Sequence, residues 1–172
     1  MFPNDFVVME PRQGFVVSRE RPLWRVTQGA LRIDSRLAPD ACSGFFRIAL
    51  AGDVVGIEQW AGTDCNLAMK ALVPTRLEPV DLANTPLTQL LMDSVVTAHQ
   101  RGREALELRT GPVARRIQAL LVLFSRQNHS DWDSVQDCPL PHLTDMSDIV
   151  DAAPETVSRV FANLRGMDCV LE

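Results

Sequence analysis

Glu155, Ser158 and Arg159 lie at i, i+3 and i+4 within Ala153–Leu164, and at about 100° per residue they share one helix face with Ala162. Val157, Val160, Phe161 and Leu164 repeat the spacing on the opposite face. Such a helix can bury its apolar stripe and turn the polar one to a DNA major groove. There a guanidinium pairs bidentately with guanine, a carboxylate accepts from the cytosine amino group, and a hydroxyl serves either role. An ordinary amphipathic helix with a hydrated outer face has the same pattern, so the preceding segment matters. Leu143, Met146, Ile149 and Val150 mark a short helix with Thr144 and Asp145 near its start, and Asp151-Ala152-Ala153 remain for a turn. Helix, tight turn and helix with an apolar inner face make a helix-turn-helix.

Other residues capable of chemistry are scattered. His99, His129 and His142 have no nucleophile motif or glycine-rich phosphate loop beside them, and no enzyme is expected. Cys138-x-x-x-His142 supplies half the ligands of a structural zinc site, and no metal is expected. Asp131 and Asp133 around Trp132 read as solvated loop acids. His99 as the axial haem ligand of a gas sensor is a remote alternative, which a missing Soret band after haem addition would dispose of. The residues name no cofactor.

Composition narrows the class. The chain has 172 residues, 46% hydrophobic and 23% charged, as in ordinary globular domains. Its 17 basic and 22 acidic residues leave a net charge of −5, which argues against indiscriminate nucleic-acid binding while permitting a local positive face. Cys42, Cys65, Cys138 and Cys169 are far apart, suggesting reduced thiols and a cytoplasmic protein. The first residues do not resemble a signal peptide, and no apolar run suggests a membrane span.

From Gly14 to about Val80, short apolar runs alternate with turn residues, as in an all-β unit. Strands are expected at Phe15–Val17, Leu23–Thr27, Ala30–Asp34, Phe45–Leu50, Val54–Ile57, Leu67–Leu72 and Arg76–Val80. Phe45, Phe46, Trp60 and Met69 are expected to fill the unit's interior. Asn84–Leu108 then forms one long helix, too long to be needed for covering a small β unit alone. Its stripe of Leu87, Leu91, Ser94, Val95, Ala98, Gly102 and Ala105 suits a two-fold dimer seam, with small residues allowing close approach. The alternative is a helix packed wholly on its own β unit. Thr110-Gly111-Pro112 ends this helix and starts the next, Val113–Gln127, which turns Arg115 and Arg116 outward. Asn128–Pro141 reads as a loop.

Pro-Glu-Thr-Val-Ser-Arg-Val-Phe at Pro154–Phe161, with Asp148-Ile149-Val150 upstream, resembles the recognition helix of the cyclic-AMP receptor/fumarate-nitrate reductase regulator (CRP/FNR) family. The Glu-x-x-Ser-Arg arrangement is closer to the fumarate-nitrate branch. Trp24–Ile33 looks like the hairpin of that family's effector-binding β-roll, and Gly52-Asp53-Val54-Val55-Gly56 like its Gly-Asp-x-x-Gly turn. The resemblance implies an α+β fold. An N-terminal β-roll of the cyclic-nucleotide-binding-domain-like jelly-roll kind would occupy residues 1–83 and a dimerisation helix 84–109. A C-terminal helix-turn-helix of truncated winged-helix type would occupy 110–172. It implies a homodimeric, sequence-specific regulator whose partners are palindromic double-stranded DNA and RNA polymerase. Pro154, Glu155, Thr156, Ser158 and Arg159 would meet the DNA.

Several positions depart from the family pattern. Ile57 and Asp64-Cys65-Asn66-Leu67 stand where cyclic-nucleotide binders place a ribose-binding Glu and a phosphate-binding Arg-Ser pair. Buried phosphate without such donors is poorly compensated, so cyclic AMP is not expected. Residues 1–41 contain no cysteine, so the iron-sulfur ligands are absent as well. Met167–Glu172 resembles the approach to a wing hairpin without the hairpin. Asp151 stands where relatives often have Gly, and Ala153 where they have a hydroxyl cap. Asp145, Asp148 and Asp151 are expected to face the phosphates, with Arg115, Arg116, Arg159 and Arg165 as counterweight. These departures motivate an alternative function, a DNA-incompetent relative acting through protein–protein contacts.

Overall fold

Short runs rich in β-branched and aromatic residues form antiparallel strands, and stretches with apolar residues at helical spacing form helices. The computed structural model describes residues 6–18, 23–35, 44–62, 67–127 and 139–168, with backbone alone at 126–127 and 164–168. The chain divides into two compact units, Met1–Arg103 and Glu104–Glu172.

The first unit holds β1 (Val7–Met9), β2 (Gly14–Phe15), β3 (Trp24–Gln28), β4 (Ala30–Ser35), β5 (Gly44–Leu50), β6 (Val54–Val55), the single-turn α1 (Ile57–Trp60), β7 (Leu67–Ala71) and β8 (Thr75–Pro79). It also contains most of α2 (Leu87–Glu107). Two four-stranded antiparallel sheets form, in the orders β1-β8-β3-β6 and β2-β7-β4-β5. Met9, Val26, Leu31, Ile33, Val55, Met69 and Leu77 are central to a shared core. Phe15 meets Trp24 edge-on, with ring centroids 5.4 Å apart.

The Trp24–Ile33 stretch corrects one expectation. Its two strands lie in different sheets, so the predicted hairpin is a corner. β3 pairs with β6 and β8, and β4 with β5 and β7. A single intervening residue cannot supply the usual two-residue hairpin turn. Gly29 instead takes φ +81, and a Cβ there would collide with the Pro74 carbonyl and Thr75. The buried Thr75 Oγ1 braces this corner, accepting the Ala30 amide at 3.2 Å and lying 2.7 Å from the Val73 carbonyl.

Other differences are local. β1 was not anticipated, being three residues long and paired with β8 as much as seventy positions on (Val7 with Leu77). Ile57 opens α1 rather than ending a strand, because Gly56 at φ 95 turns the chain into a helical hydrogen-bond pattern. Phe46 and Trp60 are exposed rather than internal, while Met69 is buried as expected. Phe46 falls on the outer face of a strand whose inward alternate is Arg47. The segment at Asp64-Cys65-Asn66 lies outside the described residues.

The second unit contains α3 (Val113–Gln127), α4 (Leu143–Val150) and α5 (Pro154–Asp168), which contact one another pairwise. Ile117, Leu120, Leu123, Phe124, Met146, Ile149, Val150 and Val157 are buried on their inward faces. α5 continues to Asp168, so Met167 and Asp168 belong to its last turn instead of an approach to a hairpin. Gly166 costs about 1 kcal/mol of helix propensity against Ala, which is too little to end the helix. His129, Asp131, Trp132, Asp133, Cys138 and Cys169 lie outside the described residues.

Candidate nucleic-acid interface

The second unit presents the face anticipated on α5. Val157 is completely buried and Val160 and Phe161 half-buried, while Pro154, Glu155, Ser158, Arg159 and Ala162 are exposed. Thr156 is half-buried, and its amide, like that of Val157, donates to the Ala153 carbonyl at 2.9 and 3.1 Å. That carbonyl starts the helix although Ala153 has no hydroxyl to cap it. Neither the Glu155 carboxylate nor the Arg159 guanidinium has a partner among the described residues. Both can therefore reach an incoming group without first breaking a bond to any described residue.

The turn before α5 is built on Asp151, at φ 51 and ψ 60. Aspartate tolerates this left-handed conformation better than most non-glycine residues, which lets it occupy a position where Gly is common in the resembling family. The amides of Asp151 and Ala152 both donate to the Ser147 carbonyl. At the other end of α4, His142 caps the helix by accepting the Thr144 amide on Nδ1 at 3.4 Å.

Two sequence-based assignments of charge are corrected here. Asp145 is 2% exposed and so is not one of three acids on the outer face; Asp148 and Asp151 are exposed. Arg116 is not a free outward cation. Its guanidinium donates to the carbonyls of Gly111 at 2.8 Å, Val150 at 2.8 Å and Asp151 at 3.2 Å. Arg109, which sequence inspection passed over, donates to the Asp148 carbonyl at 2.9 Å and lies 3.6 Å from the Asp151 carboxylate. Arg115 is exposed, and the Arg165 side chain lies outside the described residues. The missed signal was an unsatisfied helix end. The last carbonyls of α4 need donors, and arginines near the Gly111 junction can supply them.

On α2, the residues assigned to a dimer seam divide by exposure. Leu87, Leu91, Val95, Ala98 and Gly102 are exposed, and Ser94 and Ala105 half-buried. The buried residue of this helix is Leu90, so α2 is not wholly packed on its own unit. Met92 and Val96, one position on from Leu91 and Val95, are exposed as well and widen the apolar surface.

Within the first unit, a cavity of about 190 Å³ has Arg25, Arg47, Glu58, Leu91, Ser94 and Thr97 among its walls. Arg47 is buried and lies 3.3 Å from Glu58, and Arg25 donates to the Gly52 carbonyl at 2.9 Å. These cations come from strands before the Gly-Asp-x-x-Gly turn, whereas the family pattern places its phosphate-binding pair after it. A lone arginine in the apolar run Phe45–Leu50 was the available signal. Beside the cavity, Asp53 is buried and takes two bonds from Arg101, at 2.7 and 3.0 Å. Its Oδ2 also accepts the Leu50 amide at 2.9 Å.

No family model matches the chain, and no curated protein matches it by sequence. Solved structures do match. TTHB099, a transcriptional regulator of the CRP family from Thermus thermophilus, superposes with a TM-score of 0.69 at 20% identity, covering 94% of this chain and 85% of that one. FixK2 from Bradyrhizobium japonicum gives 0.67 at 19% identity, covering 97% and 87%. The fold is that of the CRP/FNR regulators. CLP, a c-di-GMP responsive global regulator from Xanthomonas campestris, shares this CRP/FNR fold with a TM-score of 0.59 at 17% identity, over 96% and 88% of the two chains. Among the described residues, no helix is long and apolar enough to cross a membrane.

Proposed function

We propose that this chain is a CRP/FNR-type transcription regulator that binds a palindromic DNA site as a homodimer. The observation that carries the proposal is the exposed Glu155–Arg159 face of α5, unpartnered among the described residues, set opposite the buried Val157 and entered through a tight turn. Arg159 would pair with guanine, Glu155 with a cytosine or adenine amino group, and Ser158 with a base edge or a thymine methyl. Pro154 and Thr156 would sit at the phosphate-facing end. Two copies would address half-sites about one DNA turn apart. The exposed Leu87, Leu91, Val95, Ala98 and Gly102, with Ser94 and Ala105, would join them through α2. This assigns residues 1–83 to sensing, 84–109 to dimerisation and 110–172 to DNA, with RNA polymerase as a further partner.

The signal would enter the cavity of the first unit. At about 190 Å³ it is smaller than the roughly 300–1,000 Å³ of pockets for drug-sized ligands, which supports a small apolar or anionic effector rather than cyclic AMP. Micromolar binding of cyclic AMP in calorimetry would overturn that choice. Such an effector must have different affinities for the two states to switch them.

The alternative is a DNA-incompetent partner acting through protein–protein contacts, favoured by the net charge of −5 and the exposed Met92 and Val96. A fluorescence titration against a palindromic TTGAT-type duplex at two salt concentrations separates the two. Specific binding with a clear salt slope supports the regulator, and no binding at low salt supports the alternative.

A further inference from the structure

We propose that Arg116, assisted by Arg109, positions the recognition helix by tying the Gly111 junction to the turn between α4 and α5. The inference rests on the proposed DNA-reading role of α5. A helix leaves its last carbonyls without intrahelical donors, and α4 meets that need in an unusual way. Ser147 receives the backbone amides of the turn, Asp148 receives Arg109, and Val150 and Asp151 receive Arg116 Nη1. The same Arg116 group, through Nε, holds the carbonyl of Gly111, 2.8 Å away.

A guanidinium is planar and carries its donors in a fixed fork. Carbonyls separated by 34 and 35 positions in sequence from Arg116 are thereby held in register with a junction residue whose φ is +85. A shift of the Gly111 backbone must either carry the α4–α5 turn with it or break these bonds. Because Thr156 and Val157 begin α5 immediately beyond that turn, the pitch of the Glu155–Arg159 face on α3 follows the Gly111 carbonyl. Lysine preserves the positive charge at the end of α4, yet its point-like ammonium cannot hold all three carbonyls in one plane. The role therefore belongs to the shape of arginine as well as to its charge.

The test uses the full chain with Arg116→Lys and Arg116→Met, measured against the preferred palindrome and a scrambled duplex at two salt concentrations. Amide exchange of Ala152, Thr156 and Val157 is followed in parallel. The expected result for Arg116→Lys is a folded protein with faster exchange at these amides. It loses about tenfold in affinity for the palindrome, the equivalent of one charge-assisted hydrogen bond. Its affinity for the scrambled duplex and its salt slope stay unchanged. An equal loss on both duplexes, with the salt slope reduced by about one, makes Arg116 a phosphate contact and overturns the inference. Should Arg116→Met not fold, the lysine variant decides alone. If the wild-type chain binds no duplex at low salt, the DNA-reading proposal fails; unchanged amide exchange in Arg116→Lys then overturns the tie itself, and faster exchange upholds it.

Discussion

In the β unit, Arg32 and Arg47 are buried beside Asp34 and Glu58, and Arg101 closes on the buried Asp53. In the helical unit, Arg115 and Arg159 stand in solvent, and Arg109 and Arg116 hold backbone carbonyls. The same residue type thus does three jobs, and burial separates them. A guanidinium taken out of water must find acceptors to offset its desolvation. One left in solvent need not, and remains available to a partner molecule. The arginines of the first unit therefore shape a cavity wall and an interior, while those of the second offer a contact face and brace it from behind.

The largest effect that would break this contrast belongs to the β unit. Asp53→Ala leaves the half-buried Arg101 without its carboxylate and should cost about 3–5 kcal/mol in urea unfolding. Adding Arg101→Met should recover the part of that loss due to the unpaired cation, the Leu50 amide remaining without its acceptor, and a double variant as unstable as Asp53→Ala would show the pair to be incidental. Next comes Gly29→Ala, which forces an L side chain into positive φ against Pro74 and Thr75. A loss of about 1–3 kcal/mol from backbone strain is expected, with further cost from the collision, read as a lowered melting temperature.

Arg159→Ala should lose about 1–3 kcal/mol of affinity and relax specificity at one base of the site. Its stability should stay within about 0.5 kcal/mol of wild type, since nothing among the described residues uses the guanidinium. A loss spread evenly over all sequences would move Arg159 from base reading to phosphate contact.

The smallest effect lies in the segment before α2. The Asn84 side-chain amide and the Ala83 backbone amide donate to Asp81 and hold its carboxyl below the usual carboxylate range. A depressed folded value means that this contribution to stability is present above the unfolded pKa of about 3.9 and lost as pH falls through the folded value. Asn84→Ala should raise the Asp81 titration midpoint in an NMR pH series, with a barely detectable change in melting. An unmoved midpoint would assign the depression to the backbone amides of residues 83 and 84.

Helical spacing makes α3, α4 and α5 legible in the sequence. Their apolar residues recur every three or four positions, and such a stripe must be buried whatever lies opposite. The exposed set on α5 was legible for the same reason, because the two faces of one helix are assigned together. The strands from Trp24 to Pro79 were also located to within a few residues, since β-branched runs bounded by Gly, Asp and Pro leave few choices.

Partners distant in sequence were another matter. Local alternation looks the same whether two successive strands pair or part at a corner, so Trp24–Ile33 resembled a hairpin until β8 was found beside β3 and β7 beside β4. The burial of Asp145, the Asp53–Arg101 pair across 48 positions and the reach of Arg116 back to Val150 and Asp151 depend on elements brought together by the core. By itself the sequence determined which residues form helices and strands and which helix face is apolar, because spacing along one chain carries that information. Tertiary structure alone decided which charges remain free, since a side chain's partners are set by packing across the fold.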